Sequence, residues 1–218
     1  MIFSKPTKYG AGIEIYGDYQ DLNSLRQTIL DLSDSRALNN GADEFVLGLA
    51  YDVRHAYEGS RGTITLSTSG SDSPKYFHFK TLWPIFLMQL ALLRWSAGYQ
   101  PTTKEHQSNL YRIEACTEQS LNSFDPFIGR RCTEWLSMFP GLRHDYLFQF
   151  VSECTYEYIR RKTVGKARFK KLPDTLRRLI PLSDEYRHFE QELRNIATQE
   201  GCQPQDLTDE IHWPKFKW

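Results

Sequence analysis

Apolar and polar residues alternate along residues 12–16, and residues 3–7 form a second short extended stretch on the other side of a glycine-containing turn. Alternation with a period of two next to a turn is typical of a β-hairpin. Residues 63–68 are rich in β-branched side chains and residues 75–81 in aromatic ones, and a Ser-, Gly- and Pro-containing segment connects them. This second pair of stretches predicts a second hairpin.

Apolar residues three and four positions apart indicate helices in most of the remaining chain. Asp21 precedes the first such stripe and is its predicted N-cap. Gly41 opens a second helical stretch, which Gly59 ends. The nearly uninterrupted apolar run 82–93 predicts a helix that is buried on all sides and ends at Gly98. The helices predicted beyond it are 107–124, 131–139, 145–161, 173–179 and a last one capped by Ser183.

These elements predict an α+β fold in which N-terminal antiparallel hairpins pack with helices and a mostly helical C-terminal half follows. The change in pattern near residues 98–104 suggests an α+β domain over residues 1–100 and a helical domain over residues 101–218. The pattern leaves open whether the two halves share one core.

Composition narrows the class of protein. Hydrophobic residues make up 40% of the 218 residues and aromatic residues 14%, which is enough for a packed core. The apolar run at 82–93 is shorter than the roughly 20 residues that a transmembrane helix needs. The four cysteines are widely and irregularly spaced, which disfavours a zinc ribbon or a redox dithiol. We therefore expect a cytoplasmic protein with reduced thiols and with no metal, cofactor or membrane partner.

Positive charge is concentrated in one segment although the chain as a whole is neutral, with 27 Lys and Arg against 27 Asp and Glu. Residues 160–178 contain Asp174 as their only acid. Such clustering suits phosphates, so the segment predicts contact with nucleic acid or an acidic protein surface. Alternatively, it is a solvated surface balanced by acids elsewhere in the fold. The cations are Arg160, Arg161, Lys162, Lys166, Arg168, Lys170, Lys171, Arg177 and Arg178.

A second candidate site lies in the second predicted helix. Tyr51 and His55 are four residues apart, and Asp52 and His55 are three apart, so a helix brings them to one side with Arg54 nearby. A carboxylate beside an imidazole can orient or charge it, which is a common arrangement in acid–base catalysis. Alternatively, these residues form an ordinary polar helix face.

Two further groups have weaker chemical signals. Glu14, Asp18 and Asp21 offer oxygen ligands, as does the string Asp209–Glu210–Ile211–His212, but turn and cap roles explain them as well, and we expect no metal site. In the strand at 75–81, Tyr76, His78 and Lys80 alternate onto one side. A face with aromatic and cationic groups is suited to stacking bases, although it is also typical of a half-exposed strand.

Two segments resemble a bacterial family known only as a domain of unknown function. They are Gly-Ile-Glu-Ile-Tyr-Gly-Asp-Tyr-Gln-Asp-Leu at 12–22 and Leu-Gly-Leu-Ala-Tyr-Asp-Val-Arg-His-Ala-Tyr-Glu-Gly at 47–59, with a weaker match at Leu-Trp-Pro, 82–84. The resemblance covers roughly the N-terminal half. It implies a bacterial source and a small α+β protein with no assigned activity or cofactor, and it transfers no catalytic residue.

Motifs for phosphate loops, dinucleotide folds, nucleophile elbows and zinc proteases are missing from the sequence. We therefore favour a binding or assembly protein that contacts nucleic acid or an acidic partner through the basic segment. One alternative is an enzyme with a site around Asp52, Arg54 and His55. Another is a structural subunit, either a homo-oligomer or part of a larger system such as one for defence against phage.

Overall fold

The computed structural model describes residues 1–38, 41–65, 75–138, 146–160, 162–180, 183–207 and 213–218. The fold is α+β, as predicted. The strands are β1 (Phe3–Pro6), β2 (Gly12–Gly17), β3 (Thr63–Thr65) and β4 (Lys75–Leu82). The helices are α1 (Tyr19–Ser33), α2 (Ala42–Tyr57), α3 (Trp83–Ala97), α4 (Lys104–Phe124), α5 (Pro126–Met138), α6 (Leu147–Arg160), α7 (Lys166–Phe169), α8 (Leu172–Arg178) and α9 (Asp184–Glu200).

The strands form one antiparallel sheet in the order β1-β2-β4-β3. Because directly paired residues of neighbouring strands share a face, the register divides the sheet into two chemically different sides. Ile13, Ile15 and Phe79 lie on the inner face, which α1, α2 and α3 cover. The outer face includes Phe3, Lys5, Glu14, Tyr16, Tyr76, His78 and Lys80, with Ile64 of β3 paired to Tyr76 at its edge.

The first helix begins earlier than predicted. Asp18, not Asp21, is the N-cap of α1, and its side chain accepts a hydrogen bond from the Asp21 backbone N–H over 2.9 Å. Asp18 has the extended backbone that an N-cap requires, whereas Asp21 already lies in the first turn of the helix. The N-cap prediction at Asp21 was therefore wrong by three residues.

Helix α3 is the centre of the core. Its side chains are buried nearly all round, including Trp83, Phe86 and Leu90, and this confirms the prediction from its uninterrupted apolar run. Buried hydrophobic residues form one continuous cluster that extends from the sheet through α3 to α8. The cluster draws on residues before and after position 100. The division into two domains stays a prediction.

Three distant segments meet at the turn between β1 and β2. The Tyr9 N–H donates to the carbonyl oxygen of Trp218 over 3.1 Å, and the Gly165 N–H donates to the Tyr9 carbonyl oxygen over 2.8 Å. The buried Tyr158 hydroxyl donates to the carbonyl oxygen of Gly10 over 2.5 Å. These bonds hold the C-terminal residues and the start of α7 against one end of the sheet. In the part of the chain that the structure describes, no helix has the length and apolarity to cross a bilayer.

Candidate functional site

The predicted basic segment does not form a uniform surface. Most of its described cations are exposed, but Arg168 is buried and Arg178 is half-buried. Arg161 lies outside the described residues. The segment therefore contains both solvent-facing charges and charges used within the fold. The exposed cations are Arg160, Lys162, Lys166, Lys170, Lys171 and Arg177.

Arg168 is only 2% exposed and binds backbone carbonyls. Its Nε donates to the Thr163 oxygen over 3.1 Å, and its Nη1 donates to the oxygens of Tyr9 and Lys217 over 3.3 and 3.0 Å. Burial lowers the pKa of this guanidinium. Arg168 therefore fastens the C-terminal residues and the β1–β2 turn to the loop before α7.

The other arginines of the segment have acidic neighbours. The Glu157 carboxylate on α6 accepts a hydrogen bond from Arg178 over 2.9 Å and another from Arg160 over 3.0 Å. Arg177 lies 3.8 Å from Asp174 in α8 and stays exposed. Paired charges produce a weaker external field than isolated ones, so these arginines contribute less to a surface for anions than their number suggests.

Four lysines remain exposed, with no acidic partner among the described residues: Lys162, Lys166, Lys170 and Lys171. Lys166 and Lys170 are four residues apart, and the Lys170 N–H donates to the Lys166 carbonyl, so they share one side of α7. Phe169, between them, is fully buried and anchors that turn in the core. The backbone supporting these lysines is therefore tied to the interior.

Two lysines from the ends of the chain join this surface. The ammonium groups of Lys8 and Lys217 each lie 5.6 Å from the centre of the Tyr9 ring. Tyr9 in turn binds Gly165, the residue before Lys166, through its backbone. We call Lys8, Lys162, Lys166, Lys170, Lys171 and Lys217 together the basic end. Sequence reasoning missed Lys8 and Lys217 because Lys8 lies about 150 residues before the 162–171 segment and Lys217 lies about 50 residues after it.

Glu14 is the polar centre of the outer sheet face. Its carboxylate lies 2.8 Å from the Nδ1 atom of His78, 3.7 Å from the Nζ atom of Lys80 and 3.8 Å from the Nζ atom of Lys5. The Glu14 side chain is 12% exposed, whereas those of Lys5 and Lys80 reach solvent. Two ammonium groups and one imidazole therefore surround a single carboxylate.

Aromatic rings cover the sheet beside this group. Tyr16 lies between Phe3, with ring centres 4.9 Å apart and parallel planes, and His78, with centres 5.1 Å apart. Burial and the neighbouring Glu14 carboxylate raise the pKa of Tyr16. Tyr76 meets Phe3 edge to face at 5.4 Å. Phe3 and Tyr76 are half-buried and form the solvent side of the ring cluster. As predicted, Tyr76, His78 and Lys80 share one face of the sheet.

The α2 residues are close together but make other pairings than the predicted ones. Asp52 accepts a hydrogen bond from Arg61 over 2.7 Å; burial raises the pKa of Asp52, and Arg61 opposes that shift. His55 contacts the Tyr51 ring, with centres 4.2 Å apart, and its Nδ1 atom lies 3.1 Å from the Ser60 hydroxyl. Since Asp52 binds Arg61, it does not orient the imidazole through a hydrogen bond of its own. The enzyme hypothesis stays a prediction.

Arg54 completes this group on α2. Its Nε atom lies 3.7 Å from a Glu58 carboxylate oxygen, and its guanidinium lies 5.4 Å from the centre of the Tyr51 ring. Tyr51 itself is more than half exposed. These contacts are those of a polar helix surface.

Among the described residues, no group of three or more His, Cys, Asp or Glu side chains is arranged to hold a metal ion. Asp209, Glu210 and His212 lie outside those residues. Burial raises the pKa of the Cys132 and Cys154 thiols to about 12, so both are protonated at neutral pH.

Comparison with known proteins places the whole chain in one family. No curated protein and no solved structure matches it. A family model matches residues 2–218, so the likeness seen in the N-terminal segments extends through the helical half. The chain belongs to the family described as Domain of unknown function (DUF6904).

Proposed function

We propose that this chain is a non-catalytic binding protein that contacts nucleic acid phosphates through its basic end. The observation that carries the proposal is the meeting of exposed lysines from the β1–β2 turn, the 162–171 segment and the C-terminal residues around Tyr9. Within the described part of the chain these lysines have no acidic partner. A zero net charge does not cancel such a local field, because charges more than about 10 Å away are largely screened at ordinary salt.

Phosphate contacts have a measurable signature. Each phosphate neutralised by a lysine releases condensed counterions, so affinity falls as salt rises. Six such contacts, one for each lysine of the basic end, would lower affinity about a thousand-fold between about 50 and 200 mM salt. In this proposal Arg168, Arg160 and Arg178 support the surface through internal contacts and do not add to the slope.

The test is fluorescence anisotropy with labelled DNA and RNA of about 20 nucleotides across that salt range. The double variant Lys166→Gln/Lys170→Gln is expected to flatten the slope of log affinity against log salt by about two units. The matched control is Arg36→Gln/Lys104→Gln, which removes two exposed cations elsewhere. Lys104 starts α4, and the 21-residue length of that helix puts it about 30 Å from Phe124, which contacts Phe169.

Two results would overturn the proposal. One is that the folded protein binds neither DNA nor RNA at low salt. The other is that the control variant changes the slope as much as Lys166→Gln/Lys170→Gln does, which would show that binding is spread over the whole surface. Binding of polyglutamate without binding of nucleic acid would identify an acidic protein as the partner, and would also exclude this function.

A further inference from the structure

We infer that the nucleic acid is single-stranded and that it extends from the basic end over the outer face of the sheet. This inference rests on the proposed function and specifies its ligand. The outer face offers aromatic surfaces on which bases can stack, because half-buried aromatic rings lie there beside exposed lysines. Unpaired bases stack on aromatic side chains, whereas the bases of a duplex are already stacked on one another.

The sheet register gives the order of contacts along this face. Lys5, Glu14 and Lys80 form one row across β1, β2 and β4. Phe3, Tyr16 and His78 form the row two residues further on, about 7 Å away at the rise of a β-strand. In the other direction, Lys8 at the basic end lies three residues beyond Lys5, in the turn that follows the end of β1 at Pro6, so the Cα atoms are at most about 11 Å apart. A single-stranded nucleic acid that extends from the basic end across the outer face therefore contacts the lysines first and the aromatic rings after them.

The charge of the outer face also favours a path of the nucleic acid from the basic end across the sheet. Glu14 is held by Lys5, Lys80 and His78, so the carboxylate is neutralised within the face and two ammonium groups serve one acid. Lys5 has 60% of its side chain exposed and Lys80 has 39%. Both can turn toward a phosphate without unfolding any backbone. The face has a net positive charge, and this complements a nucleic acid backbone.

The rings are held in place before any ligand binds. Tyr16 is enclosed between Phe3 and His78 and is only 1% exposed, so it supports the cluster and does not itself accept a base. Tyr76 and Phe3 provide the accessible surfaces. Because the Phe3 ring contacts both Tyr76 and Tyr16, the two accessible rings are already restricted, and stacking a base on them costs little additional side-chain entropy.

Three probes of equal length separate the contributions: labelled oligodeoxythymidylate, its abasic counterpart and a duplex. Oligodeoxythymidylate is expected to bind about ten-fold or more tighter than the other two, since stacking contributes at least that much over two bases. Tyr76→Leu is expected to weaken oligodeoxythymidylate binding about 5- to 100-fold and to leave the abasic probe unaffected, while Tyr76→Phe keeps wild-type binding. The control is Tyr99→Leu, an exposed tyrosine just beyond the C-terminal end of α3.

Lys5→Gln/Lys80→Gln provides a second measurement that keeps every ring of the cluster, although it removes the Lys5 ammonium 4.7 Å from the centre of the Tyr16 ring. It is expected to flatten the salt slope for the single strand by about two units and to leave the duplex slope unchanged. Circular dichroism and thermal unfolding verify that each variant is folded, and if Tyr76→Leu is not, the lysine variant decides alone.

The outcomes separate this inference from the function on which it rests. If no probe binds, both fail. If all probes bind equally, and Lys166→Gln/Lys170→Gln weakens them while Tyr76→Leu and Lys5→Gln/Lys80→Gln do not, the basic end binds nucleic acid and the single-strand inference is overturned.

Discussion

The guanidinium of Arg168 donates a hydrogen bond to the carbonyl oxygen of Lys217, with Nη1 and the oxygen 3.0 Å apart. The same nitrogen lies 3.3 Å from the Tyr9 carbonyl oxygen. A buried cation is stable only when its donors find acceptors, and here backbone dipoles take the place of a carboxylate. This side chain, together with the backbone bonds of Tyr9 to Trp218 and Gly165, fixes the β1–β2 turn and the C-terminal residues relative to α7. The arrangement of the basic end therefore depends on Arg168.

Replacement of this arginine is expected to be costly. Arg168→Met keeps the aliphatic stem but leaves the Thr163 and Lys217 carbonyl groups without this donor, while the Tyr9 carbonyl keeps its bond from the Gly165 N–H. We expect this change to lower the free energy of unfolding by about 2 to 3 kcal/mol. Urea denaturation measures the change. Arg177→Met is the matched control, because Arg177 is 71% exposed, and it should alter stability by less than about 0.5 kcal/mol. Equal effects of the two substitutions would show that the buried hydrogen bonds of Arg168 contribute no more to the free energy of unfolding than the contacts of an exposed arginine do.

The spacing of apolar residues predicted those helices and strands whose burial follows from their own sequence. The apolar run of α3 specifies burial directly, and the structure has it. The alternation in β2 predicts a strand with two chemically different faces, and Ile13 and Ile15 do lie on the inner face, but Glu14 and Tyr16 on the outer face are buried as well. The four-residue helix α7 was missed, since it is too short to show a repeat and is held by Gly165, Tyr9 and the burial of Phe169. Its existence depends on Phe124, Trp83 and Tyr9, which lie from about 45 to about 160 residues earlier in the sequence, and periodicity does not detect such contacts.

The candidate sites show the same limit. Lys166, Arg168 and Lys170 alternate in sequence with nothing to distinguish them, yet Arg168 points inward while the lysines are exposed. Only the fold decides which cation meets a set of carbonyls. Likewise, Asp52 is three residues from His55, as a helical pairing requires, but Arg61 is the better partner because it brings an opposite charge to 2.7 Å.

The burial of α3 can be tested with a pair of identical substitutions. Leu90 is 1% exposed, and Leu90→Ala should lower the free energy of unfolding by about 2 to 5 kcal/mol, because it removes buried methyl groups and leaves a cavity. Leu47 on α2 is 36% exposed, and Leu47→Ala should cost less than about 1 kcal/mol. Thermal or urea unfolding gives both values. A small effect at Leu90 would contradict its position in the core.

Alkaline pH should destabilise the protein through its buried thiols. Burial raises the pKa of Cys132 and Cys154 from 9.0 to about 12, so between these values the folded state keeps protons that the unfolded state releases. The stabilisation is complete below pH 9 and is lost as pH rises, by up to about 1.4 kcal/mol per pH unit for each thiol.

Urea unfolding at pH 7 and above pH 9 measures this loss. The double variant Cys132→Ala/Cys154→Ala should be less stable than wild type at pH 7 and should lose less stability on going to high pH. Thiolate absorbance provides the independent measurement, since the folded protein should show no ionisation of these two thiols near pH 9 and the unfolded protein should. A variant that follows the wild-type pH dependence would show that the thiols are not responsible.

Replacement of Glu14 is expected to lower the stability of the protein and to strengthen its binding of single-stranded nucleic acid. Glu14→Gln removes the carboxylate that Lys5, Lys80 and His78 surround, and we expect it to lower the free energy of unfolding by about 1 to 3 kcal/mol, because charge-assisted contacts are lost. The same change leaves one more uncompensated positive charge on the outer face. Binding of single-stranded oligodeoxythymidylate should therefore tighten, with a salt slope steeper by about 0.9 unit. Glu44→Gln, at an exposed position in the first turn of α2, is the control; it should lower the free energy of unfolding by less than about 1 kcal/mol and leave binding unchanged. Weaker binding by folded Glu14→Gln protein would mean that the carboxylate itself contacts the ligand, and it would contradict the purely electrostatic role given to Glu14 here.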